Sequence, residues 1–224
     1  MTRGILPESA DPPTHERVYR ALRARILTGE MAPGDHVTLR GLAEALGVSM
    51  TPAREAVRRL VAERALEMTA SGRAAIPTPG MARLEELFRA RELLEPELAV
   101  RALPHADKSA ISALRAIDEA IDSYLAKGDA IGYVRANIAF HTTLYALADA
   151  PALMALVESV WLQTAPIMRR IYGRLGTGAL ADYHEAALAA LASRDASALA
   201  SAIRQDVAQG AALLRQVALD ETNL

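Results

Sequence analysis

Apolar residues recur every three or four positions through most of this chain, and the breaks in that rhythm divide it. Between His15 and Thr28, Val18, Leu22, Ile26 and Leu27 share one face, and Gly29 suits the end of such a helix. Pro33-Gly34 in MAPGD makes a turn. Thr38 then caps a short helix whose stripe is Leu39, Leu42, Ala43 and Leu46, and Gly47 stops it. Ser49 or Thr51 caps a third helix, with Pro52 tolerated in its first turn. Its inner face is Ala53, Ala56, Val57 and Leu60, and Arg54, Arg58 and Arg59 lie toward the other side. ALEMTASGRAAIPTP reads as two short strands around Ser71-Gly72.

Past Pro77, Pro79 and Gly80 the pattern is helical only. Six helices are predicted: about Met81 to Leu103, bent at Pro96; Asp107 to Lys127; Asp129 to Ala148; one from Pro151, strained at Pro166; Leu180 to Ala192; and Asp195 to about Leu219. The expected organisation is a flexible arm over residues 1–14, a winged helix-turn-helix over 15–78 and a helical bundle over 79–224. The fold class is mainly α.

Half of the 224 residues are apolar, so a sizeable core is available, and scarce aromatics with abundant Ala and Leu favour helix. The absence of cysteine excludes disulfides and thiolate metal sites. MTRGILPESADPP lacks the apolar core of a signal peptide, and no apolar run is long enough to span a bilayer, so a cytoplasmic protein without membrane contact is expected. The net charge of −2 argues against a nucleic-acid partner until it is divided. Residues 1–80 hold 11 Arg against 9 acidic residues, and the remainder holds 14 basic against 18 acidic. Every basic residue of the first part is arginine, the better bidentate donor to guanine and phosphate.

A helix that reads DNA presents donors to base edges near its N-terminus and binds phosphates at its margins. Arg54 can reach guanine O6 and N7, the Ser49 and Thr51 hydroxyls suit phosphates, and Arg58 lies on the same outward side. Arg40 can reach the same groove or its backbone, and Arg73 on the hairpin the adjacent minor groove. The alternative is an ordinary three-helix domain with solvated charges.

In the bundle, charged residues stand on buried stripes, where a charge is costly unless paired or ligated. Arg91 fills the slot between Leu87 and Leu94, one turn before Glu95. Asn137 and His141 are four apart, His184 aligns with Leu188 and Leu191, and Asp206 with Leu199, Ile203 and Gly210. Imidazole and carboxylate together suit a divalent transition metal. Singly, such a histidine is more often a hydrogen-bonded core residue than a ligand, and the aspartate can simply pair with a nearby arginine, Arg91 included. His141, His184 and Asp206 could also leave an open position for a hydrolytic water, although no general base stands beside them.

The N-terminal motifs ILTGEMAPG, LAEALGVS and TPAREAVRRL resemble the GntR family of bacterial regulators over about residues 15–78. In its FadR-like branch the resemblance implies that Arg40 and Arg54 touch operator bases and Thr51 the DNA backbone. Met50 departs from the family, which usually carries a base-reading arginine there. NIAFHTTL, YHEAAL and AIRQDV resemble the FCD ligand-binding domain over about 82–217. Carried over by position, the family's metal-binding Asp and three His fall on Asn137, His141, His184 and Asp206. A carboxylate has become a carboxamide and a histidine a carboxylate, which keeps the side-chain charge at −1.

The resemblance further implies a zinc- or nickel-like divalent ion and a small carboxylate effector met by Arg91 of RELLE, with Arg169 and Arg170 of MRRIY as further candidates. Tyr145, Trp161 and Tyr172 could line its pocket. The expected protein is a homodimeric regulator of a double-stranded DNA operator, more often a repressor. Its rivals are a metal-dependent hydrolase and a metal-free constitutive regulator. Met50→Arg restores a donor at the family's reading position and is expected to change the operators recovered by in vitro selection; an unchanged profile would place residue 50 away from the bases.

Overall fold

The computed structural model describes residues 14–175, 181 and 183–222, with backbone alone for 173–175 and 218–222. The elements are α1 (Thr14–Leu27), β1 (His36–Val37), α2 (Leu39–Leu46), α3 (Met50–Ala62), β2 (Glu67–Met68), β3 (Ala74–Ala75), α4 (Met81–Ala102), α5 (Lys108–Lys127), α6 (Ala130–Ala146), α7 (Pro151–Leu175), α8 (Tyr183–Ser193) and α9 (Ala196–Thr222). This is a winged helix-turn-helix followed by a bundle of six helices. Most of the predicted boundaries hold to within two or three residues. The expected arm lies almost wholly outside the described residues, as does Leu180.

The first unit packs Val18, Leu22 and Ile26 of α1 against Leu42 of α2 and Ala53, Val57 and Leu60 of α3. Its wing has three strands rather than two, in the order β1-β3-β2. The added strand is His36–Val37, which pairs antiparallel with Ala74–Ala75. Two residues are too few to show an alternation, so the pairing partner alone makes them a strand. The hairpin closes where Thr69 N–H and its hydroxyl both donate to Arg73 O, at 2.8 and 2.9 Å, with Gly72 at φ +75°.

Capping explains the bundle helices. Asp107 accepts from Ala110 N–H at 2.8 Å, Asp129 from Gly132 at 2.9 Å and Asp195 from Ala198 at 2.9 Å. Helices α4 and α7 run unbroken through Pro96 and Pro166. Each proline removes one backbone hydrogen bond, and buried packing on both sides keeps the helix whole.

The two units share a packed contact. Leu162 of α7 belongs to the core of the winged unit, and Leu27 of α1 packs on the bundle core. Arg23 of α1 donates to Glu158 at 2.7 Å, and Arg169 Nη1 donates to Gly29 O and Glu30 O at 2.8 Å each. Gly29 is left-handed at φ +66°, and a Cβ there would lie 3.0 Å from Arg169 Cβ. Gly29→Ala is therefore expected to cost about 1–2 kcal/mol from backbone strain alone. A lowered urea midpoint would register it; an unchanged midpoint would show that the turn adapts.

Candidate functional site

The first candidate surface is built on α2, α3 and the wing. Thr38 Oγ1 accepts from Gly41 N–H at 3.1 Å and starts α2, and Gly47 at φ +62° ends it and redirects the chain into α3. Ser49 occupies the extended N-cap position of α3, exposed and without a side-chain capping bond. Arg40, Ser49, Met50, Thr51, Arg54, Arg58 and Arg73 are all exposed, Met50 by 42%. Arg40, Arg54 and Arg73, from three different elements, border one groove together with Val57 and Met68.

Arg54, Arg58 and Arg73 make no ion pair among the described residues, and Arg40 has only an exposed pair with Glu44 at 3.2 Å, worth little in water. Arg59 has a different task. It bonds Glu16 at 2.9 Å and Glu63 at 3.1 Å and lies 3.6 Å over the Tyr19 ring, holding α3 to α1. The surface thus offers cationic donors from both sides of a groove and hydroxyls at a helix start, a set suited to base edges and phosphates.

The second site lies inside the bundle. His141 on α6, His184 on α8 and Asp206 on α9 bring ligand atoms within 4.8 Å of one another, with both histidines buried. His141 Nε2 is 3.1 Å from Asp206 Oδ2, and His184 Nε2 is 3.8 Å from Asp206 Oδ1. Asn137, the fourth expected ligand, has its carboxamide nitrogen 3.3 Å from His184 Nε2; turning the amide over presents its oxygen to the same place. All four residues expected at a metal centre converge.

Two further layers orient them. His184 Nδ1 faces Asp118 Oδ1 at 3.2 Å, and His141 Nδ1 faces the Tyr145 hydroxyl at 3.0 Å. Tyr145 gives its proton to Glu95 Oε2 at 3.0 Å, so its oxygen accepts from His141 Nδ1–H. Burial and the Glu95 charge push the Tyr145 phenol well above its usual range, so it stays a donor. Both imidazoles therefore direct Nε2 inward, as metal-ligating histidines held by a second shell do.

A lone pair on His141 Nε2 and the carboxylate of Asp206 cannot share a 3.1 Å contact without a cation between them, either a proton or a metal ion. Burial opposes ionisation of Asp206. The His141 hydrogen bond and the charges of His141, His184 and Arg91 overcome it and hold Asp206 down to about 2. The donor set of two imidazole nitrogens, one carboxylate and one carboxamide fits a divalent first-row metal.

A cavity of about 30 Å³ adjoins Asp206 and Asn137, walled by Val134, Trp161, Ala165 and Tyr172, and Arg91 enters it. Arg91 is tied through Nε to the fully buried Glu95 at 2.6 Å. The other two expected effector contacts stand elsewhere. Arg169 is spent on the Gly29 and Glu30 carbonyls, and Arg170 is exposed beside Pro79 and Leu84, on a groove away from Arg91. Both follow Met168, which does face the cavity; the helical turn carries the next two residues outward.

Sequence reasoning missed Asp118 and the role of Glu95. Asp118 stands four residues after Leu114 and three before Ile121, both buried, so the test that singled out Asp206 would have found it. The sequence marks Tyr145 only as a pocket-lining or core residue. Its partner Glu95 is fifty residues away in sequence, and no local pattern announces that bond.

Two family models match the chain. Residues 14–75 match the bacterial regulatory proteins of the gntR family, and residues 86–209 match the FCD domain. The chain is 29% identical over 206 residues to the HTH-type transcriptional regulator McbR of Escherichia coli strain K12, covering 89% of this chain and 92% of that one. An uncharacterized HTH-type transcriptional regulator from the TAR-I ttuE-ttuC' intergenic region of Agrobacterium vitis is 32% identical over 163 residues, covering 66% and 95%. The solved structure of E. coli McbR/YncC superposes with a TM-score of 0.85 at 26% identity, covering 92% of this chain and 99% of that one. A putative GntR transcriptional regulator from Rhodococcus sp. RHA1 shares the fold at 0.73 and 23% identity, covering 89% and 97%. These relatives are transcriptional regulators and not enzymes, which removes the hydrolase rival. The chain belongs to the GntR family of bacterial regulatory proteins, as a DNA-binding transcriptional regulator whose bundle is an FCD domain.

Proposed function

We propose that this regulator is a homodimeric repressor whose grip on a pseudo-palindromic operator is set by a small carboxylate bound beside a divalent transition metal ion. One observation carries the reading: Arg91 and the Asp206–Asn137 edge of the histidine cluster border the same small buried cavity. An anion there can meet the metal with one end and Arg91 with the other, a charge-assisted contact. The cavity's volume matches about two or three water molecules, so the ligand has few heavy atoms. Two-fold symmetry would place two α3 helices on half-sites one turn apart.

In that arrangement Arg54 reads a base, with Arg40 and Arg73 at the groove edges and Ser49, Thr51 and Arg58 near phosphates. Met50 offers a thioether in place of a donor and packs on a thymine methyl or bare backbone. Arg54→Ala is expected to weaken binding to a selected operator by about 1–3 kcal/mol and relax specificity at one base pair. Unchanged affinity in a titration would remove α3 from the major groove.

The metal half is tested on untagged protein by elemental analysis and thermal melting. About one zinc or nickel per chain is expected. A metal at a hundred times its dissociation constant stabilises the fold by about 2.7 kcal/mol, so chelation should lower Tm by about 5–10 °C. His184→Ala should lose both the metal and the chelator response, and calorimetry should show one- or two-carbon acids binding only the metal-loaded wild type. A second reading, a metal-free regulator, has its own support in the mutual hydrogen bonds of Asn137, His141, His184, Asp118 and Asp206. A Tm indifferent to chelation would favour it.

A further inference from the structure

Helix α7 lines the cavity and also holds the winged unit. Trp161, Ala165 and Met168 line the cavity, while Glu158, Leu162 and Arg169 of the same helix hold α1. The two units meet closely at Gly29. A Cβ there would stand 3.5 Å from Val134 Cγ1 and 3.6 Å from Ala165 O, and Val134 and Ala165 are both cavity walls. The end of α1 is therefore one residue's thickness from the space beside Asp206.

The grip at that point is chemically specific. Gly29 and Glu30 follow the C-terminus of α1, and their N–H groups close its last turn onto Ile26 O and Arg25 O while their own carbonyls lie past the helical ladder. Arg169 sets one N–H-bearing nitrogen 2.8 Å from both carbonyl oxygens, and Arg135 on α6 lies 3.7 Å from the Glu30 carboxylate. Pro166 sits between Ala165 and Arg169 and leaves the Leu162 carbonyl without its helical donor. The backbone ladder of α7 thus lacks one bond where cavity wall and clasp meet, which gives a small displacement of Ala165 a route to Arg169.

We propose that the Gly29–Glu30 turn clasped by Arg169 is the joint that orients the DNA-reading unit on the bundle, and that the contents of the cavity act on it through Val134 and α7. The transmission half rests on the metal-and-ligand reading above; the joint itself does not. Arg169 is then a positioning residue of the switch rather than an effector contact.

The chain has no cysteine of its own, so spin labels can be placed at Glu55→Cys on α3 and Ser112→Cys on α5 without background. Labelled full-length protein is diluted into unlabelled protein, so that only distances within one chain are read. With Arg169 present, a single narrow distribution is expected. Arg169→Ala keeps the Cβ that packs on Gly29 and removes only the guanidinium; it should broaden or shift that distribution, and Arg169→Lys should recover part of it. Identical distributions in all three overturn the joint.

The second arm compares zinc-loaded with chelator-treated protein, zinc uptake being measured separately. Zinc should move the distribution in the parent and not in Arg169→Ala, and it should change operator affinity about fivefold or more only in the parent. Zinc bound at full stoichiometry with the same response in both proteins, or none in either, overturns transmission through Arg169. Protein that takes up no zinc overturns the reading of the metal centre, and the joint is then decided by the first arm alone.

Discussion

A carboxylate with no exposure to solvent, Glu95, sets the terms for the whole interior of the bundle. A buried charge survives only when its lone pairs are answered, and here three helices answer it. Arg91 Nε donates to Oε1 at 2.6 Å, Trp161 Nε1 to the same oxygen at 2.9 Å, and the Tyr145 hydroxyl to Oε2 at 3.0 Å. Through Tyr145 the constraint reaches His141 and decides which of its nitrogens faces Asp206. Through Trp161 it fixes a wall of the cavity, and through Arg91 it places a guanidinium at that cavity's edge. Removing Arg91 would strand a charge in the core, and removing Tyr145 or Trp161 would leave that carboxylate one donor short, so the members of this set depend on one another.

The other imidazole is held by separate means. Asp118 from α5 takes the outer nitrogen of His184, and the Phe140 ring packs on it with centroids 4.3 Å apart. Four helices thus contribute to a centre whose inward face carries two nitrogens, one carboxylate and one carboxamide. The exchange of residue types at Asn137 and Asp206, relative to the family pattern, is absorbed without loss of that convergence. Asp206 keeps its charge under burial because imidazoles and Arg91 surround it.

Much of this was legible at particular residues. Gly47 and the Leu39–Leu46 stripe mark the helix-turn-helix, and the caps Asp107, Asp129 and Asp195 mark three bundle helices where the structure has them. The positions of Asn137, His141, His184 and Asp206 on apolar stripes signalled an inward polar cluster. Strand β1 was not legible, because two residues carry no period. Helices running past Pro96 and Pro166 were legible from the apolar period on both sides of each proline, and tertiary burial offsets the backbone bond each proline removes. Asp118 is legible by the same rule as Asp206, standing between the buried Leu114 and Ile121.

Arg169 and Arg170 show where a local reading stops. As two arginines in MRRIY they are alike, and only the packing of α7 separates one that clasps the turn after α1 from one beside a distant groove. The sequence by itself determined the elements, the two-part organisation and which polar side chains turn inward, because period and capping are properties of a short segment. The tertiary structure alone decided which of those side chains meet, which imidazole nitrogen faces the centre, and that the two units share a helix as a wall. Those outcomes depend on contacts between residues tens to more than a hundred positions apart, and no periodicity within a helix encodes the rotation and height at which another helix packs on it.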